Sequence, residues 1–123
     1  MEENKNGTIR ISDEVIADIA IKAAQDVDGV AGVQQRLLEN AKNIMSSRVT
    51  FVKGVLLAPS ESGLELTVQI SVLFGTKVQE VCAVVQREVK EAVSDMTGIT
   101  VNAVNVSVVS VALPKAPAKK STK

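Results

Sequence analysis

The sequence predicts an α+β domain, a two-layer sandwich in which two amphipathic helices lie on one face of a mainly antiparallel sheet. The expected order is β-α-(α)-β-β-α-β. Three observations carry this reading. Leu64, Leu66, Val68, Ile70, Val72 and Phe74 alternate with Glu65, Thr67, Gln69, Ser71 and Leu73, the period-two pattern of a strand with one buried face. Two other stretches repeat their apolar residues at helical spacing. The chain has 123 residues, 46% of them hydrophobic, which is enough for one aliphatic core.

Taken in order, residues 1–6 are polar and read as a flexible end, and Thr8 to Ile11 as a short strand. Ser12 is placed to cap a helix whose first turn holds Asp13 and Glu14, where the helix dipole favours acids. Val15, Ile16, Ile19, Ala20, Ala23, Ala24 and Val27 form its apolar stripe, Asp18 and Lys22 an i,i+4 pair, and Gly29 its stop. Residues 34–46 place Leu37, Leu38, Ala41, Ile44 and Met45 on one side of a short amphipathic helix. Arg48 to Leu57 reads as one strand with a bulge or edge position at Lys53-Gly54, followed by a turn over 59–63.

After the alternating strand, Gly75 turns the chain. Thr76 and Gln79 have capping-box spacing for a second helix. Its stripe is Val78, Val81, Cys82, Val85, Val89, Ala92, Val93 and Met96, and Gly98 ends it. Valine is a modest helix former, so packing must hold this helix. A last strand covers roughly Thr100 to Ala112. Val101 and Ala103 fall out of phase with Val104, Val106 and Val108, which predicts an irregularity near Ala103. One domain over 7–113 and a disordered basic tail over 114–123 complete the plan; the tail holds Lys115, Lys119, Lys120 and Lys123.

Composition narrows the chemistry. Histidine is absent, and with it the commonest general base and metal ligand. The single cysteine, Cys82, cannot form an internal disulfide, and as a nucleophile it would have no histidine partner. Asp26-Val27-Asp28-Gly29 lacks the closing Glu of a calcium loop, and Gly29 with Gly32 lacks the spacing of a phosphate loop. These readings predict no enzyme, metal or cofactor.

A low-specificity nucleic-acid or regulatory binding module is the alternative reading, and the sheet speaks against nucleic acid as a partner. The polar sheet face would carry Glu65, Thr67, Gln69, Ser71, Asn105 and Ser107, with neither aromatic rings nor positive charge. No apolar run reaches the ~20 residues of a membrane span, and MEENKNG has no apolar signal region. The sequence is therefore read as cytoplasmic.

What remains is surface. The polar face is low in charge, as interface cores are, and carries Leu73 and Val109 within it. The candidate interaction surface is Thr67, Gln69, Ser71, Leu73, Asn105, Ser107 and Val109, with Leu37 and Ile44 of the 34–46 helix as a second site.

The stretch IRISDEVIADIAIKAAQDVDGVAGV (9–33) resembles the opening of the alkaline-shock-protein family of Gram-positive bacteria. The stretch over 54–111 resembles the family's strand, Gly-turn, strand, helix, Met-Thr-Gly and Val-Asn-Val pattern. Asp28 stands where the family usually has proline. The resemblance implies a non-catalytic envelope-stress protein that works through protein contacts. It would self-associate or dock on a membrane-anchored relative, lying at the inner face of the membrane through that partner. It carries over no catalytic residues.

Overall fold

A computed structural model describes residues 3–4, 7–34 and 49–113. The expectations for the 34–46 helix beyond Gln34, including Leu37 and Ile44, and for the 114–123 tail lie outside the described residues.

The elements are β1 (Glu3–Asn4), β2 (Gly7–Thr8), α1 (Asp13–Gln25), β3 (Val30–Val33), β4 (Thr50–Val52), β5 (Val55–Ser60), β6 (Gly63–Leu73), α2 (Val78–Thr97) and β7 (Val101–Ala112). β6 is the centre of a five-stranded sheet. Along one side it pairs antiparallel with β5 through its first half and with β3 near its end. Along the other it pairs parallel with β7 over its whole length, and β4 extends the sheet beyond β5. The two helices cover one face, so the α+β two-layer sandwich stands, with one parallel pair in an otherwise antiparallel sheet.

The core follows from the alternation in β6. Leu64, Leu66, Val68, Ile70 and Val72 are all buried on the helix side, joined by Val55, Leu57, Val101 and Val104. From α1 come Ile16, Ala17, Ala20, Ile21 and Ala24. From α2 come Val81, Val85, Val89 and Val93, one residue every four, which form a straight valine ridge. Small alanines on α1 let the two helices lie side by side over this sheet.

Several local expectations give way to tertiary packing. Thr8 to Ile11 does not enter the sheet; Gly7–Thr8 pairs with Glu3–Asn4 as a separate two-stranded ladder, inside the stretch read as a flexible end. The sheet's first strand is instead β3, just after the expected helix stop at Gly29, where no element is expected from the sequence. Gly29 starts it with φ +98°. A Cβ there would come within 2.7 Å of Val81 Cγ2 and 3.0 Å of Thr76 Cγ2, so the close approach of this turn to α2 requires glycine.

Arg48 to Leu57 is two strands, not one. Lys53 (φ 53°) and Gly54 (φ 92°) both take left-handed conformations and turn β4 onto β5 as a two-residue hairpin, with Val52 opposite Val55. The Lys53 ammonium reaches Asp18 Oδ1 at 3.0 Å and Glu14 Oε2 at 3.3 Å on α1. Asp18 therefore pairs with the hairpin, and Lys22 pairs with Asp26 at 3.3 Å instead. The expected 59–63 turn shrinks to Glu61-Ser62, with Pro59 paired opposite Leu64.

Capping follows expectation at α1, where Ser12 Oγ accepts from the Val15 amide, and departs from it at α2. There Lys77 is the N-cap with no side-chain cap bond, and Thr76 Oγ1 donates back to the Leu73 carbonyl. Gly98 closes α2 with φ 77°. Val78 and Met96, placed on the core stripe by spacing, are exposed at its two ends.

Candidate interaction face

The face of β6 and β7 away from the helices is set by their register. Glu65 stands beside Ala103, Thr67 beside Asn105, Gln69 beside Ser107, Ser71 beside Ser110 and Leu73 beside Ala112. Cross-strand bonds tie it together: Asn105 Nδ2 donates to Thr67 Oγ1 at 3.4 Å, and the Ser71 and Ser110 hydroxyls lie 2.6 Å apart. Glu65, at one end, is the sole charge in these pairs. Asn105, Ser107 and Leu73 are exposed, and Thr67 and Ser71 half-buried.

Two expected members stand elsewhere. Gln69 is only 2% exposed. Its Nε2 donates to the Gln34 carbonyl at 3.4 Å, while the Gln34 amide donates to the Gln69 carbonyl at 2.8 Å. It is thus a buried part of the β3–β6 junction, not accessible surface. Leu56, opposite Thr67 on this same face, is also buried at 3%. Val109 is out of register: Ile70 pairs with Val108 and Ser71 with Ser110, so Val109 is the extra residue of a bulge. Ser110 takes its place in the polar row.

The predicted irregularity near Ala103 is a second bulge, at Asn102, between the pairs Leu64–Val101 and Glu65–Ala103. The Asn102 amide donates to Ser60 Oγ (3.0 Å) and Ser62 Oγ (2.8 Å), fastening the start of β7 to the β5–β6 turn.

Sequence reasoning missed the outer edge of β7. This strand pairs with β6 on one side, and no strand pairs with its other side among the described residues. Its twelve residues contain no charge and no proline, the usual means of blocking edge pairing. The composition was visible in the sequence; the edge position was not. One contact shields part of it: Gln86 Nε2 on α2 donates to the Val104 carbonyl at 3.0 Å.

The rest of the surface offers little for catalysis. Cys82 is half-buried beside the valine ridge, and burial pushes its thiol pKa up, which disfavours the reactive thiolate. Among the described residues no group of His, Cys, Asp or Glu could hold a metal. No described helix is long and apolar enough to cross a membrane. Between α1 and α2 runs a groove of about 510 Å³ lined by Ile19, Ala23, Ala92 and Met96 together with Asp18, Glu88 and Asp95.

The fold is an α+β sandwich whose β6–β7 pair presents a polar face, with Glu65 as the charge among its pairs, opposite the helices. The chain belongs to the alkaline shock protein 23 family, a family of cell envelope-related function, which matches residues 1–113. It is 30% identical to the uncharacterized protein YqhY of Bacillus subtilis over 110 residues, 89% of this chain and 81% of the relative. It is 33% identical to the uncharacterized protein YloU of the same organism over 105 residues, 85% of this chain and 88% of the relative. Among solved structures it is similar to the MamM-CTD H264A variant, with a TM-score of 0.48 and 18% identity over 80% of this chain and 98% of that one.

Proposed function

We propose that the chain is a non-catalytic envelope-stress protein that acts by binding protein: further copies of itself or a membrane-anchored relative, on the cytoplasmic side of the membrane. The observation that carries this reading is the uncharged β7, whose outer edge pairs with no strand among the described residues and whose polar face is continuous with that of β6. An open edge offers backbone donors and acceptors to an incoming strand, and uncharged side chains add no desolvation cost of charge. The family's envelope-related function supports the setting. The absence of histidine and the raised Cys82 pKa support the non-catalytic part.

The test is association measured by light scattering and by recruitment to vesicles displaying a membrane-anchored relative. Asn105→Lys and Ser107→Lys put charge on exposed positions of β7. They are expected to leave the far-UV circular dichroism unchanged and to reduce association at least tenfold. A wild-type chain that stays monomeric at high concentration and recruits to no relative would overturn the reading. So would salt-sensitive retention on nucleic acid as its sole binding activity.

A further inference from the structure

The helix layer carries a groove that neither the core nor the β7 edge uses. The hollow of about 510 Å³ between α1 and α2 is floored by Ile19, Ala23, Ala92 and Met96. It continues into a second hollow of about 340 Å³, which shares Ala23, Asp26 and Glu88 with it and adds Val27 and Val84. Val84, Glu88, Ala92 and Met96 recur every four residues, so one row of α2 runs along the groove. From Val84 to Met96 this row measures about 18 Å. Ile19, Ala23, Val84 and Ala92 are half-buried, and Met96 is 71% exposed although its spacing puts it on the apolar stripe. An apolar floor left open at a surface marks a contact site.

The charge around this floor selects the occupant. Asp18 and Asp26 stand on the α1 side and Glu88, Glu91 and Asp95 on the α2 side; among the described residues lining the hollow, Lys22 is the single cation. Asp18 is held by Lys53, Asp26 by Lys22 and Glu88 by Arg87. Glu91 and Asp95 have no cationic partner among the described residues. Their placement also costs α2 stability. Glu88, Glu91 and Asp95 follow one another at i+3 and i+4, so like charges are neighbours along the helix. Asp95 lies in the last turn, which holds no basic residue and where the helix dipole disfavours acids. In the free chain these two carboxylates oppose the helix that carries them, and a cation laid along the groove relieves both.

We propose that the α1–α2 groove docks a basic amphipathic helix of a protein partner. The apolar face of that helix rests on Ile19, Ala23, Ala92 and Met96, and its lysines or arginines reach Glu91 and Asp95. A helix fits because its own apolar row recurs every three to four residues and packs along the matching row of α2. An apolar helix without cations would leave the carboxylates unpaired at a partly dry contact, and a cationic segment without an apolar face would leave the floor wet. The site lies in the helix layer, across the sheet from the polar β6–β7 face, and does not depend on association through the β7 edge.

The experiment is fluorescence anisotropy of the full chain with three labelled synthetic helices of about five turns. One alternates leucine and lysine in amphipathic order, one has serine in place of leucine, and one has glutamate in place of lysine. Binding of the leucine–lysine helix and of neither other is expected. Met96→Ser should weaken it about tenfold, the scale of one apolar side chain. The double variant Glu91→Gln with Asp95→Asn should weaken it about tenfold. The same double variant should raise the melting temperature of the free chain by about 2–5 °C, since it removes like-charge contacts and an acid at the wrong end of the dipole. A merely structural role for these carboxylates would lower the melting temperature instead. No binding by the wild-type chain, or equal binding of the serine–lysine helix, would overturn the proposal. So would binding seen only when the chain ends at Leu113, which would give the groove to the chain's own lysines. Loss of self-association in the double variant would give it to a second copy and overturn the proposal as well. Asn105→Lys on β7 should leave peptide binding unchanged, so this reading and the edge reading can fail separately.

Discussion

Replacing Gln69 with glutamate tests where the buried boundary of the polar face runs. Sequence alternation places Gln69 in water beside Thr67 and Ser71 and predicts that its replacement is tolerated. The structure buries it to 2% exposure with its amide donating to the Gln34 carbonyl. Glutamate has nearly the same shape but no amide donor. The lost hydrogen bond is worth about 1 kcal/mol, and the Gln34 carbonyl then faces a carboxylate. Desolvating that carboxylate costs about 1–3 kcal/mol more, so the expected loss at neutral pH is about 2–4 kcal/mol. Against a typical domain stability of about 5–15 kcal/mol, the urea midpoint should fall by about 1–2 M with little change in slope.

The loss should depend on pH. Burial raises the folded-state pKa of the introduced glutamate above its unfolded value of about 4.3, so the deficit is full above the raised pKa and shrinks as pH falls towards 4. Ser107→Glu, in register with Gln69 but exposed, is the control and should stay within about 0.5 kcal/mol. Ile70→Asp, one residue on and fully buried on the helix side, should unfold the domain outright. A Gln69→Glu protein as stable as wild type at pH 7 would show that the site is wet and the burial argument mistaken.

Three further outcomes follow from particular contacts. Gly29→Ala should cost about 2–4 kcal/mol in chemical denaturation, because its Cβ meets Val81 and Thr76 at a positive φ; Gly32→Ala meets nothing within 4 Å and serves as the control. The Lys53 pKa is raised by its hydrogen bonds to Asp18 and Glu14, so its contribution is fully present below the unfolded value of 10.5 and is lost as pH rises through the folded value. Lys53→Met should therefore lower the melting temperature at neutral pH and match wild type at strongly alkaline pH, as calorimetry across pH would show. Cys82 should react with a disulfide reagent more slowly in the native protein than in urea at the same pH, since burial raises its pKa; equal rates would remove that account.

The elements legible in advance are those whose apolar period is long and consistent. β6 declares its buried face over eleven residues, and α2 declares its valine ridge over twenty. Ser12 as a cap, Gly98 as a stop and the break near Ala103 were also readable, because each depends on residues adjacent in the chain. The absence of histidine and the lysines after Leu113 are facts of composition that no fold alters.

Tertiary structure decided what depends on partners distant in sequence. Val30–Val33 is a strand because the end of β6 offers it an edge, and four residues hold too little pattern to say so. Lys53-Gly54 reads as a bulge or edge position within one strand, and the structure makes it a hairpin instead, because both residues take positive φ and α1 supplies Asp18 and Glu14 to the lysine. Gln69 and Ser107 have the same polar phase, yet one is buried at the junction with Gln34 and the other faces water. The position of β7 at the edge of the sheet among the described residues and the gathering of Leu73, Phe74, Val111 and Leu113 at one end are likewise products of register. Alternation tells which side of a strand a residue occupies, but what stands next to that side is set by chain segments tens of residues away.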